Sequence, residues 1–291
     1  MGETLAIAAA VAFALGTVLQ QKGTLTTEAG EGDPHFLLQI LHRPVWLAGA
    51  ACQSSGWVLQ AMALDRASLV VVQSITALSL VLALPIGIKL THQHVGRREF
   101  SGALLTLVGI VVFLSAGQPQ GGTAHPDASA WWAACLIIFG TVGTLALVGS
   151  RFSGAAKALT LGSAAGLGYG LQAAVTKTFV TEVGGSVLAL LTTWSVYVLI
   201  LSALTGFVLQ QSALKTGVLA PAMASSNSVT LFTSVILGIT VYGETLSKGG
   251  GGHSGSSVFG LLLALGGIAL LAGSESPEQT APAVSDPPAV T

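Results

Sequence analysis

The sequence predicts an all-α polytopic membrane protein, with about nine transmembrane helices in an inverted-repeat bundle. Three observations predict it. Charge is scarce: 8% of the 291 residues are Asp, Glu, Lys or Arg, and 52% are hydrophobic. Soluble domains carry about 25% charged residues, and the mean hydropathy here is +0.77. Second, runs such as VVVQSITALSLVLALPIGI (70–88), GALLTLVGIVVFLSAG (102–117) and WWAACLIIFGTVGTLALVG (131–149) hold no charge. Crossing the hydrocarbon takes about 20 apolar residues, and a backbone in lipid must satisfy its own hydrogen bonds as helix or closed barrel. Alternating ten-residue strands are absent, so helices are expected. Third, GWVLQAMAL (56–64) and GFVLQQSAL (206–214) match at six of nine positions, 150 residues apart.

Taken in order, spans are expected at about 4–21, 44–64, 67–88, 101–117, 131–149, 157–178, 190–212, 218–241 and 257–273. The opening MGETLAIAAAVAFALG lacks the basic region of a cleaved signal peptide and reads as a retained first span. HFLLQIL (35–41) and GGSVLALLTT (184–193) are too short to cross alone; if either crosses within a tight helical pair, the total becomes ten. Lys22, Arg43, Lys89, Arg97, Arg98, Arg151, Lys157 and Lys215 collect on one side, against Arg66, Lys177 and Lys248 on the other. Basic residues favour the cytoplasm, so the expectation is a multi-pass protein of the cell membrane with its N-terminus outside and its C-terminus inside. His92 and His94 fall in the basic loop 87–100, where solvated loop histidines are the plainer reading than a metal site. Cys52 and Cys135 lie in apolar runs and read as small buried hydrophobes. The tail from 274 to 291 is Pro-, Ser- and Ala-rich and is expected to be disordered.

The duplication extends beyond nine residues. Gly102 aligns with Gly260 and Gly109-Ile110 with Gly267-Ile268, while Gly16 and Gln20 echo Gly168 and Gln172. The expected organisation is a four-helix repeat (1–117), a connecting span with its loops (118–153), a second four-helix repeat (154–273) and the tail. Matching spans are five apart, an odd number, so the halves would cross in opposite directions. Inverted repeats of this kind build two gates around a central site in secondary transporters.

Polar residues inside hydrocarbon are costly unless they find partners. The candidates for a substrate pathway are Gln20, Gln53, Gln60, Gln73, Tyr169, Gln172, Gln210, Ser225, Ser226 and Asn227. Gln20, Gln60, Gln172 and Gln210 occupy repeat-related places. The alternative for all of them is hydrogen-bonding glue between helices. Gly162, Gly166 and Gly170 form overlapping GxxxG steps suited to close helix packing or to gating. Pro221 either disturbs the start of its helix or is a tolerated first-turn proline. No Asp or Glu falls deep in an apolar run, and Glu244 is expected near an interface. No Walker lysine motif and no nucleophile–base set occur, so neither an enzyme nor a cofactor is expected. The expected partners are the lipid bilayer and a small solute or ion, not nucleic acid; oligomeric state is open, a homodimer included.

The stretches ALGTVLQQKG (14–23), LAPAMASSNSVTLFTSVILGITVYGETLS (219–247) and the following GLLLALGGIALL resemble the drug/metabolite transporter superfamily, in particular its EamA-like repeats. LQQKG after the first span and a Trp-containing second span after HRP also look like the NIPA magnesium-transporter branch. The resemblance implies gradient-driven movement of a solute through a cavity between paired repeats, with Glu244 as a family-motif acid. It makes magnesium transport one alternative. Magnesium prefers oxygen ligands and keeps several waters; Asn227, Ser225, Ser226 and the glutamines could touch such a hydrated ion but, without a deep carboxylate, would hold it weakly, so no metal site is assigned. A non-transporting membrane scaffold is a further alternative.

Overall fold

The computed structural model describes residues 1–25, 43–91, 97–123, 126–183, 192–214, 216, 219–246 and 253–272. The expectations for the stretch 35–41, most of 184–193, His92, His94 and the tail lie outside the described residues. Helices form α1 (Gly2–Leu25), α2 (Pro44–Leu64), α3 (Leu69–Ala77), α4 (Ser79–Thr91), α5 (Arg97–Gly117), α6 (Ala128–Gly149), α7 (Gly154–Val183), α8 (Trp194–Leu214), α9 (Leu219–Thr240) and α10 (His253–Ala272). Two short strands, β1 (Gln120–Gly121) and β2 (Glu244–Thr245), pair antiparallel.

The expected number of spans is corrected. Among the described residues four segments are long and apolar enough to cross a membrane: Gly2–Gln20, Leu69–Leu90, Phe100–Gly117 and Ala128–Gly149. The sequence reading of about nine, or ten, does not stand. The polar residues inside the other helices give the physical reason. Gln53, Ser54, Ser55 and Gln60 dilute α2, and a Gly-, Ala- and Thr-rich stretch with Lys157 dilutes α7. The apolar parts of α8 and α10, Trp194–Gln210 and Gly255–Leu270, are too short. The molecule is nonetheless a helical membrane protein. Its outer surface carries Trp132, Leu136 and Leu147 more than 70% exposed on α6, an apolar face that water would not tolerate at this extent.

Helix pairing follows the glycines, which let backbones approach. A Cβ on Gly16 would lie 3.0 Å from Gly49 O, and one on Gly23 would lie 2.7 Å from Trp46 Cβ, so α1 and α2 run antiparallel. One on Gly56 would lie 2.5 Å from the Phe13 ring. The helices α7 and α8 pair the same way, with the Cβ position of Gly168 at 3.1 Å from Gly206 Cα and that of Gly206 at 2.9 Å from the Tyr169 ring. The GxxxG glycines of α7 all face α9. Gly162 meets Ser225 and Ala222, and the Cβ positions of Gly166 and Gly170 lie 2.5 Å from Ser226 O and 2.6 Å from Thr233 Cβ. These two helices therefore run parallel. Between α5 and α10 the contacts are reciprocal. Gly109 packs on Gly260 O and Ala264, while Gly267 packs on Gly102 O and Thr106.

These directions give the bundle two ends. At one lie Gly2, Arg66, the start of α3, Lys177, Glu182, Trp194 and Glu244. At the other lie Lys22, Arg43, Lys89, Arg97, Arg98, Arg151 and Lys157. The main apolar core is nearer the first end, where Leu64, Leu69, Val72, Trp131, Leu171, Val175, Leu237 and Tyr242 pack together.

Candidate functional site: an ion pair above a glutamine layer

The site is built from the amino end of α3. The first amides of a helix have no partner within it, and here each one finds one. Leu69 N donates to Glu244 Oε1 at 2.5 Å and Val70 N to Glu244 Oε2 at 2.9 Å. The N-cap Ser68 accepts from Val71 N through its hydroxyl at 3.2 Å and from Val72 N through its carbonyl at 3.1 Å. A carboxylate is favoured at this position by the positive end of the helix dipole as well as by the two donors. Chain geometry delivers it. The chain leaves α9 through Tyr242 and Gly243, whose φ of +65° suits glycine, and turns Glu244 back into the bundle. A Cβ on Gly238 would lie 2.8 Å from Glu244 Oε2, and one on Gly122 would lie 3.0 Å from its Cγ. Two glycines thus leave the room that the carboxylate occupies.

Lys177 completes the site. Its Nζ donates to Glu244 Oε1 at 2.7 Å and lies 4.6 Å from the centre of the Tyr242 ring. The Glu244 side chain is 1% exposed and that of Lys177 12%. Tyr242 is held in turn by its hydroxyl, which donates to Ala174 O at 2.7 Å and lies 2.7 Å from Thr178 Oγ1. Trp131 stands edge-on to Tyr242 at 5.9 Å and tilted against Trp194 at 5.4 Å. Glu182 accepts from Trp194 Nε1 at 3.0 Å and from Ser195 Oγ at 2.6 Å, fixing the start of α8 to the end of α7. Aromatic rings and ions together pack this end of the bundle.

A layer of glutamines lies beneath. At a rise of about 1.5 Å per residue, Gln172 sits about 7.5 Å below Lys177, Gln73 about 6 Å below Leu69 and Gln60 about 6 Å below Leu64. All three are buried, on helices α7, α3 and α2, which touch one another. Among the described residues the Gln73 Nε2 and Gln172 Oε1 atoms have no hydrogen-bond partner, and neither does Gln53 Oε1 between α1 and α2. The predicted pathway residues do not form one cluster. Gln60, Gln73 and Gln172 share a depth near the Glu244 end. Gln20 and Gln210 lie toward the basic end, with Gln20 against Gly49. Tyr169 stacks on Gly206, and Ser225 and Ser226 line the α7–α9 seam opposite Gly162 and Gly166. Asn227 is half-buried on α9, and Pro221 falls in the first turn of that helix.

Glu244 is 2% exposed and turned into the bundle, at one of its two ends. The sequence grouped Lys177 with Arg66 and Lys248 on one side and did not join it to Glu244. The usable signal was that both charges flank apolar runs on the side that is poor in basic residues. Among the described residues no three His, Cys, Asp or Glu side chains gather as a metal would require.

A glycine-zipped helical bundle with a buried ion pair at one end and buried glutamines below it defines a helical membrane protein with a polar interior. No family model matches the chain, and no solved structure matches it. An uncharacterized protein of Corynebacterium glutamicum is 32% identical over 244 residues, which cover 82% of this chain and 83% of that protein. The chain belongs to the family of that protein.

Proposed function

We propose that the protein is a secondary transporter, moving a small polar solute across the cell membrane by alternating access between two inverted halves. The observation that carries this reading is a pair of buried amide atoms, Gln73 Nε2 and Gln172 Oε1, without a hydrogen-bond partner among the described residues, on residues 5% and 8% exposed. Leaving a buried donor or acceptor unmade costs about 1–3 kcal/mol. Helix glue would pair such groups; a solute pathway leaves them open for what passes. One open donor and one open acceptor at the same depth suit a solute that can both accept and donate hydrogen bonds.

The reciprocal glycine contacts support the inverted arrangement. Gly102 and Gly260 are repeat mates, as are Gly109 and Gly267, and each packs on the other's mate. A two-fold relation between the halves requires that exchange. The basic residues gathered at one end support an orientation with that end in the cytoplasm, the N-terminus outside and the C-terminus inside. A magnesium carrier is less well supported, because the carboxylate it would use is already engaged by Lys177 and two backbone amides.

The test compares export profiles of a deletion strain and an overexpressing strain, followed by uptake of the differing solutes into proteoliposomes. Gln73→Leu and Gln172→Leu are expected to abolish uptake while leaving thermal stability equal or higher, since each removes a buried polar atom that has no hydrogen-bond partner among the described residues. Stability loss in both variants with uptake per folded protein unchanged would return the glutamines to a structural role. A parallel arm with a fluorescent magnesium reporter decides the magnesium reading by signal above empty liposomes.

A further inference from the structure

We infer that Glu244, Lys177 and the amino end of α3 form a latch that seals one end of the bundle, so that the conformation described is shut at the Glu244 end. The inference rests on the transport reading above and adds which end is shut and what shuts it.

The latch ties the two halves together. Leu69 and Val70 belong to the N-terminal half, whereas Lys177 and Glu244 belong to the C-terminal half, and one carboxylate holds all of them. A second tie lies at the same end. Strand β1 follows α5 of the N-terminal half, and β2 follows α9 of the C-terminal half. Gly121 pairs with Glu244 and Gln120 with Thr245, and Thr123 N donates to Tyr242 O at 2.8 Å. The acid of the latch is thus itself a ladder residue, so breaking one tie loosens the other.

The opposite end is built differently. Among the described residues it gathers Arg43, Lys89, Arg97 and Arg98 of the N-terminal half near Arg151 and Lys157, and like charges brought together repel one another. Back at the latch end, the Asp65–Arg66 pair, 3.9 Å apart and 44% exposed on each side, joins neighbours in one turn and does not tie the halves together.

The position of the pair explains why it can open. A buried ion pair gains its Coulomb attraction against the cost of stripping water from both ions. At the centre of a membrane, separation would leave two naked charges. At the end of the bundle, separation lets water enter and hydrate both, so the open and closed states stay close in free energy. The two flanking glycines, Gly122 and Gly238, leave beside the carboxylate the room that a Cβ would take.

The experiment uses the full chain in proteoliposomes with Cys52→Ser and Cys135→Ser and a single reporter, Gln60→Cys, just below the latch. A membrane-impermeant maleimide is applied from either face. Glu244→Gln and Lys177→Met are each expected to raise labelling from the latch face by about tenfold or more, as a population shift of that size does, with no rise from the basic face. A second check adds Gln120→Cys and Thr245→Cys to the same protein, with labelling read at position 60 alone by peptide mass spectrometry. Antiparallel partners lie about 4.5–5.5 Å apart at Cα, within the reach of a disulfide. Oxidation should suppress labelling of position 60 from the latch face even with Glu244→Gln, and a thiol-free reductant should restore it. An equal rise from both faces, no rise in either variant, or labelling indifferent to the disulfide overturns the latch. Sided labelling without flux of any solute supports the latch and overturns the transport reading.

Discussion

Removing Lys177 is expected to damage the protein more than neutralising Glu244, although the two residues form one ion pair. Lys177→Met leaves a carboxylate that is 1% exposed with no counter-ion. Stranding a buried charge by deleting its partner costs about 3–5 kcal/mol, offset here only by the two α3 amides. Glu244→Gln leaves the ammonium, whose side chain is 12% exposed and long enough to swing its head to the nearby end of the bundle. The amide oxygen of the new Gln still accepts one backbone hydrogen bond. The expected cost is about 1–2 kcal/mol, the value of charge-assisted hydrogen bonds replaced by neutral ones. The double variant Lys177→Met/Glu244→Gln should be more stable than Lys177→Met alone, giving a coupling of about 0.5–3 kcal/mol. Unfolding of detergent-solubilised protein followed by tryptophan fluorescence reads this well, because Trp131 packs 5.9 Å from Tyr242. Glu244→Gln costing more than Lys177→Met, or a coupling indistinguishable from zero, would refute the reasoning.

Further outcomes follow from the packing. Gly238→Ala should displace the carboxylate, since the new methyl would sit 2.6 Å from Val70 Cγ2 and 2.8 Å from Glu244 Oε2; thermal unfolding should show a loss of about 1–3 kcal/mol from overpacking. Gly109→Ala should cost at least as much, because its Cβ would overlap the α10 backbone at Ala264, while Gly140→Ala and Gly143→Ala should be neutral in the same assay, having nothing within 4 Å. Tyr242→Phe removes the hydroxyl bonded to Ala174 O and close to Thr178, and should lose about 1 kcal/mol in the same unfolding measurement.

The positions of the helices were legible in the sequence, because apolar runs are separated by charged or glycine-rich segments. The expected 131–149 and 218–241 correspond to Ala128–Gly149 and Leu219–Thr240. The number of membrane-crossing segments was not legible in the same way. Placing a helix needs only its boundaries, but qualifying it as a span needs a high average hydropathy over a membrane-crossing length, which the glutamines and serines of α2 and the glycines, threonines and lysine of α7 lower. The GxxxG steps announced a close helix contact without naming its partner. That α9 supplies it, through Ser226 O and Thr233, is a tertiary fact that the repeat of glycines does not encode. Glu244 was the least legible residue. Its partners Leu69 and Val70 are 175 and 174 residues away and offer backbone amides, which leave no signature in side-chain chemistry. An acid after VYG at a helix end looks interfacial until the chain turns through Gly243 and carries it inward.

Water access to the glutamine layer is the most direct test of a solute pathway. Gln172→Cys, in protein lacking Cys52 and Cys135, can be labelled in membranes with an impermeant maleimide from each face in turn. Gln172 is 8% exposed in the conformation described. A pathway predicts steady labelling from the basic face and, once Glu244→Gln opens the other end, labelling from that face too. A residue that stays unlabelled from both faces in both proteins would contradict it and make the glutamines part of a solid core.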